Sequence, residues 1–270
     1  MKKSKVLLTM IGALLGLAWL IPFYLMLTNS FKTKREIFNS PINLPKGLNF
    51  DNYIQAANNL NFLKTFFNSI LITVFSIVII IVFSSMAAYA LARVKDKKST
   101  IIFFIFVAVM LIPFQAVMIP LISFFGKMKM LNRAGLIFMY LGFGSSLSIF
   151  LYHGSINALP RSLDEAAIID GCNRFQVFWY VIFPVLKPIT VTVAILNTIW
   201  IWNDYLLPSL VINKTGLETI PLKMFFFFGE YTKQWHLALA GLTLAIIPVI
   251  IFYFVAQKHI IKGVTSGAVK

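Results

Sequence analysis

Acidic residues are scarce: nine Asp and Glu stand against 24 Lys and Arg in 270 residues, and charged side chains make up only 12%. Soluble domains average about 25% charged and roughly 45–50% apolar residues. Here the apolar share is 59%, with 27 Phe. A soluble fold of this length does not hide that much apolar surface, and the same composition excludes a disordered or collagen-like chain. Cysteine occurs once, at Cys172. That excludes a disulfide scaffold and says nothing about redox compartment. What remains is an all-α polytopic membrane protein, with lipid as its solvent. In a soluble protein the net charge of +15 would suggest nucleic acid. Here the basic residues lie mostly between apolar runs, where they anchor helix ends at the headgroups, so no nucleic-acid partner is expected.

Six runs approach the ~20 residues that cross about 30 Å of hydrocarbon. They are Val6–Thr28, Phe66–Ala92, Ile101–Phe125, Ala134–Tyr152, Pro188–Val211 and Leu237–Gln257. The first follows Met1-Lys2-Lys3-Ser4-Lys5, which imitates the start of a signal peptide. Its apolar run exceeds the roughly 7–15 residues of such a segment, and Pro22 and Tyr24 stand where small residues would be needed for cleavage. It is expected to be a retained span. Counting Lys and Arg near helix ends barely separates the two faces, 13 against 11. The strongest local signal is Arg93-Val94-Lys95-Asp96-Lys97-Lys98, which with the N-terminal lysines places both termini on the cytoplasmic side. On that orientation residues 29–65 and 213–236 are outer loops, the first with a short amphipathic helix around Tyr53, Ile54, Ala57 and Leu60. Residues 153–187 form the one long inner loop, and 258–270 an inner tail. No internal repeat indicates an inverted-repeat carrier.

The inner loop concentrates the chemistry. Asp164, Glu165 and Asp170 place three of the nine acids within seven positions. Ser162 and Glu165 have capping-box spacing, and acids in a first turn suit the helix dipole. Gly171 suits a left-handed cap. Asn173 and Gln176 open a second helix by the same box spacing, and Pro184 and Pro188 break it before the fifth span. The expectation is helix, glycine turn, helix. Ala166 and Ala167 keep one face thin enough for close approach by another protein. The competing reading is a helix lying at the headgroups with its carboxylates in water.

The run Glu165-Ala166-Ala167-Ile168-Ile169-Asp170-Gly171, followed by Pro184, resembles the EAA loop of ATP-binding-cassette (ABC) importer permeases. Ala88-Tyr89-Ala90-Leu91-Ala92-Arg93, Met118-Ile119-Pro120, Trp202-Asn203-Asp204 and the tail Gly263–Lys270 resemble the second permease of carbohydrate importers of the maltose-transporter type. The resemblance runs almost end to end. Cys172 departs from it, standing where the family often has Ala or Ser. The resemblance implies the type I importer permease fold, one transmembrane permease domain over residues 1–270, and a loop seated in a cleft of a cytoplasmic ATPase. Glu165 is implied as the acidic contact, Ala166 and Ala167 as the packing surface, and Asp170 and Gly171 as the turn, with Pro184 beyond. The tail is implied to reach the ATPase dimer. A second permease and an extracytoplasmic sugar-binding protein are the other implied partners.

No G-x-x-x-x-G-K-[ST] run is present, so ATP and Mg are expected on the ATPase subunit and no cofactor in this chain. No catalytic constellation is expected, and His153, His236 and His259 lack metal-ligand spacing. For a sugar pathway the candidates are Asn197, Asn203, Asp204 and Trp202, amides, a carboxylate and a ring that suit hydroxyls and a sugar's apolar face. Against that, Asp204 fits an outer-interface position with Trp202 in the aromatic belt. Gly142, Gly144, Ser145, Ser146 and Ser148 suit close helix packing or substrate contact. The alternatives are an ion-coupled carrier, which calls for buried ionisable groups in several spans, and a membrane enzyme, which calls for a catalytic site.

Overall fold

The computed structural model describes residues 2–94, 96–228 and 233–268. Lys95, part of the basic run, and Val269 and Lys270 of the tail lie outside the described residues. Every assigned element is helical apart from one isolated bridge pair, Phe228 and Lys233. In chain order the helices are α1 (Lys2–Ser30), α2 (Lys34–Asn39), α3 (Asp51–Leu60), α4 (Phe62–Arg93), α5 (Lys97–Val109), α6 (Phe114–Lys127) and α7 (Arg133–Asn157). There follow α8 (Ser162–Ile169), α9 (Arg174–Gln176), α10 (Phe183–Val185), α11 (Lys187–Asn203), α12 (Leu206–Val211), α13 (Ile220–Met224) and α14 (Trp235–Ala268).

Among the described residues, four helices are long and apolar enough to cross a bilayer alone, within Val6–Ser30, Phe62–Arg93, Arg133–Asn157 and Trp235–Phe254. The expected third span, 101–125, is not one straight helix. It is the pair α5 and α6, bent by 103°. Pro113 lacks an amide hydrogen and forces the residue before it out of the helical region. The amides of Met110, Leu111 and Ile112 tighten onto carbonyls three residues back, and Pro113 adopts ψ 138°. Each arm is only about 20 Å long at 1.5 Å per residue, short of the hydrocarbon thickness. The expected fifth span also stops early. α11 ends at Asn203, the backbone turns extended at Asp204, and α12 follows.

Contacts divide the chain into two units, residues 1–65 with 222–251 and residues 66–221 with 252–270. In the first, the stretch of α1 from Val6 buries no side chain within its apolar window. It is apolar all round, the signature of a helix meant for lipid or for another chain. Its end is anchored differently. Lys32 is 1% exposed, and its ammonium donates to Asn29 Oδ1 at 2.9 Å and to the carbonyls of Ser40 and Pro41 at 2.8 and 3.2 Å. Asn52 bridges the Ser30 and Lys32 carbonyls at 2.8 and 2.9 Å. That explains why α3 buries Asn52, Ala56 and Leu60, one stripe at i, i+4 and i+8, whereas the expected apolar residue Ile54 is 59% exposed.

The second unit is built around α4, α7 and α11. Asn197 of α11 donates to Ser148 Oγ at 3.1 Å and to the Val193 carbonyl at 2.9 Å, and Ser148 donates to the Gly144 carbonyl at 2.7 Å. At Gly144 the neighbouring helices approach closely. A Cβ there would stand 2.6 Å from Ile80 Cδ1 and 2.7 Å from Asn197 Oδ1. The buried part of the small-residue patch of α7, at Gly144 and Ser148, therefore packs helices. Gly144→Val should lower stability by about 1–3 kcal/mol through overpacking. At Gly142 an added Cβ would meet nothing within 4 Å, so Gly142→Ala should leave stability unchanged or slightly raised. Melting followed by size-exclusion chromatography of both variants checks the contrast.

Candidate functional site

The loop between α7 and α11 folds as a closed hairpin. α8 ends at Asp170, and Gly171 takes φ +88°, the left-handed region glycine enters without a Cβ penalty. Cys172 N donates to the Ala167 carbonyl and Gly171 N to the Ile168 carbonyl, both at 3.0 Å. This is the double-bonded C-terminal motif of a helix stopped by glycine. The chain restarts at once. Asn173 Oδ1 accepts from Phe175 N and Gln176 N at 3.1 and 2.9 Å, while Gln176 Oε1 accepts from Asn173 N at 2.8 Å. The expected Asn173/Gln176 capping box is present.

The expected Ser162/Glu165 box is not. Arg161 precedes the first helical residue without a side-chain cap, and Glu165 N bonds the Arg161 carbonyl at 3.1 Å. Arg161 instead reaches back to the Arg93 carbonyl at 3.0 Å, so a contact with α4 sets the entry of the helix. After α9 the helix widens to a π turn over Val177–Ile182 before α10. Pro184 has no amide hydrogen for the Tyr180 carbonyl, and Phe183 N bonds Phe178 O in the wider register. The helix then turns by 77° into α11, at Leu186 between the two prolines.

One side of the hairpin is buried on the bundle. Ala167, Val177, Phe178 and Ile182 are buried, and Phe178 lies 5.3 Å from the Tyr89 ring. Asp164 makes the polar attachment. Its carboxylate accepts from Arg93 Nε at 3.2 Å on Oδ1, and Arg93 Nη2 stands in ion-pair contact with Oδ2 at 2.7 Å. Tyr89 donates its hydroxyl to the same Oδ1 at 2.6 Å. The Arg93 and Asp164 side chains are 14% and 13% exposed. Arg93 also approaches the Ile156 and Leu159 carbonyls at 3.3 and 3.4 Å, tying down the end of α7. The other side faces outward. Glu165, Ala166, Asp170 and Gly171 are exposed, with Ile169 at 85%, Phe175 at 61% and Tyr180 at 74%.

Of the six residues expected at this site, Glu165, Ala166, Asp170 and Gly171 thus share the exposed end of the hairpin. Pro184 is exposed further along. Ala167 differs: it is 6% exposed and turned onto the hairpin's own packing, so the thin exposed face belongs to Ala166 alone. Sequence reasoning did not find the attachment Tyr89–Arg93–Asp164. The signal was a second acid beside Glu165 and an Arg closing α4, but nothing in the spacing pairs positions 71 residues apart.

The four pathway candidates are spread out. Asn197 is buried in the Ser148 bridge described above. Asn203 is exposed and donates to the Ile199 carbonyl at 2.7 Å. Asp204 accepts from the Tyr140 hydroxyl at 2.9 Å and from Leu206 N at 3.0 Å, which ends α11 and starts the next turn. Trp202 packs edge-on against Phe66, centroids 6.0 Å apart. Gly171→Ala should strain the turn by about 1–2 kcal/mol. Limited proteolysis should then cut the hairpin several times faster near 170–175, with α4 and α7 unaffected.

The family model for the binding-protein-dependent transport system inner membrane component matches residues 80–266, which include the end of α4 and the whole hairpin. A probable starch degradation products transport system permease protein of Thermoanaerobacterium thermosulfurigenes is 60% identical over 99% of this chain and 97% of its own length. The multiple sugar-binding transport system permease protein of Streptococcus mutans is 37% identical over 98% and 95%. The melibiose/raffinose/stachyose import permease protein of Bacillus subtilis is 35% identical over 99% and 98%. In three dimensions the chain superposes with TM-score 0.79 on a chain of a bacterial ABC transporter involved in import of the acidic polysaccharide alginate. That match has 25% identity and covers 95% of this chain and 96% of the other.

Proposed function

The chain belongs to the family of binding-protein-dependent transport system inner membrane components, as a membrane-spanning permease of an ABC carbohydrate importer, and from that premise we propose that the 162–185 hairpin is its lever for a separate ATPase subunit. The observation that carries this reading is the two-sided hairpin. One side is closed onto the bundle through Asp164 and Phe178, and the other presents Glu165, Ala166, Asp170, Ile169 and Tyr180 outward. An apolar rim around exposed acids suits a socket on a second protein better than it suits water.

In this reading ATP and Mg are held by the ATPase, and this chain performs transport and no bond chemistry. Closure of the ATPase dimer pushes the hairpin. The rigid turn passes the push to the membrane helices, which alternate between two arrangements biased by nucleotide. The hairpin end faces the cytoplasm with both termini, a reading supported by Lys97, Lys98 and Arg93 at the same end of α4 and α5. A second permease completes the pathway, an extracytoplasmic binding protein delivers the sugar, and the tail beyond Gly263 reaches toward the ATPase. The cargo is an oligosaccharide, and the 60% identical starch-products relative favours α-glucan oligosaccharides such as maltotriose. Of the pathway candidates, Trp202 and Asn203 keep accessible surface for sugar contact beside Asp204, while Asn197 serves packing.

Glu165→Lys should cut maltotriose uptake by about tenfold or more, because a like charge is costly at a socket built for an acid. Membrane abundance and melting should stay at wild-type values. Cysteine cross-linking from Ala166→Cys, in a Cys172→Ser background, should trap the ATPase subunit. Wild-type uptake by Glu165→Lys, or no ATPase adduct in a transport-competent preparation, rules out the lever.

A further inference from the structure

The hairpin is joined through the chain to α7 and α11, and a push on it reaches those two helices without any help. The geometry points to a third: the Asp164–Arg93–Tyr89 clamp makes α4 a driven helix, and α4 carries the stroke to the loop 213–220 at its far end. This rests on the lever reading above and names the residues that deliver it.

Several observations converge. The clamp is nearly buried and formed between side chains 71 and 75 positions apart, with the Arg161 bond to the Arg93 carbonyl beside it. Its stiffness comes from geometry: Arg93 Nε and the Tyr89 hydroxyl both donate to Asp164 Oδ1, and the second carboxylate oxygen lies against the guanidinium at 2.7 Å. A single surface pair would be screened and loose, and this one is neither. Asp164 sits next to Glu165, so a force applied to Glu165 reaches Arg93 through one peptide unit.

The far end of α4 is also tied. Asn68 donates to the Gly216 and Glu218 carbonyls at 3.1 and 3.0 Å and accepts from Arg133 at the start of α7. Ser69 Oγ accepts from Ile220 N at 2.9 Å. The loop is itself stiffened, with Gly216 at φ +85° and its amide on Glu218 Oε2 at 2.5 Å. Between Asn68 and Arg93 runs an unbroken helix of roughly 37 Å. A helix held at both ends by specific bonds moves as a rod, so displacement at Asp164 shifts residues 216–220. Asp164, Arg93 and Tyr89 are proposed as positioning residues, which act through α4.

The test uses the whole transporter, this chain with its companion subunits and binding protein, in proteoliposomes. Two quantities are read: maltotriose imported per ATP hydrolysed, and the ATP-dependent change in the spectrum of a nitroxide on Lys214→Cys in a Cys172→Ser background. In Asp164→Asn the transport ratio should fall about fivefold or more, within the usual range of coupling between sites, and the label's response should shrink by about half or more, leaving only the part that reaches residue 214 along the chain through α11 and α12. Tyr89→Phe, which loses one hydrogen bond, should lower the ratio about twofold to threefold. A ratio and label response in Asp164→Asn equal to wild type would overturn the proposal, as would a label response of full wild-type size while the ratio falls. If Asp164→Asn does not reach the membrane, Tyr89→Phe decides, and an unchanged ratio there overturns it. The Ala166→Cys adduct with the ATPase is scored in parallel, unlabelled preparations that keep Lys214. An adduct with an intact ratio removes the clamp and leaves the lever, while a missing adduct in the parent removes the lever.

Discussion

One carboxylate decides how the 162–185 hairpin of this permease is attached to its bundle. Asp164 accepts from Arg93 Nε and the Tyr89 hydroxyl on one oxygen, and its other oxygen lies against the Arg93 guanidinium. Nearly out of water, such a pair gives its specificity only while every member is present, and loss of one partner typically costs about 3–5 kcal/mol. The desolvation is offset by the backbone carbonyls of Ile156 and Leu159 that Arg93 also reaches. The result is a hairpin whose inner side has no freedom to slide and whose outer side is left exposed. The proposed lever needs both properties: a free arm without a fixed fulcrum would absorb a push.

The rest of the molecule divides by solvent. α1 is apolar all round and buries nothing along its apolar window, so its partner is lipid or another chain. Among α4, α7 and α11 the packing depends instead on small and polar residues. Gly144 lets Ile80 and Asn197 approach, and Asn197 and Ser148 satisfy each other. Inside a membrane no hydrophobic force draws helices together, so close contact and internal hydrogen bonds do that task. Where the chain departs from helix within apolar segments, at Pro113 and at Asp204, an identifiable group takes up the freed backbone or the break is forced by proline.

Much of this was readable in one dimension. Apolar runs pointed to the membrane class, and the E-A-A-x-x-D-G run pointed to the family and the turn at Gly171. The Asn173/Gln176 cap was likewise legible, because capping depends on residues within four positions of each other. The Ser162/Glu165 cap failed for the complementary reason. The Arg161 contact with Arg93 outcompeted a local hydroxyl bond worth about 1 kcal/mol, and nothing local reports it. The third span looked continuous since hydropathy is blind to direction, and a 103° bend leaves the apolar count unchanged.

Composition and short spacing were enough, then, for two things: that the chain lives in lipid and that a hairpin interrupts it near residue 171; the likeness of that hairpin to the EAA loop of importer permeases came from resemblance to a family. Which side of the hairpin is free came from packing in three dimensions. Packing turned Ala167 inward and left Ala166 outward, committed Asn197 to a helix contact, and joined Asp164 to Arg93 across 71 residues. Those outcomes depend on which helices become neighbours. A desolvated charge takes the nearest opposite charge in space, and distance along the chain does not measure that.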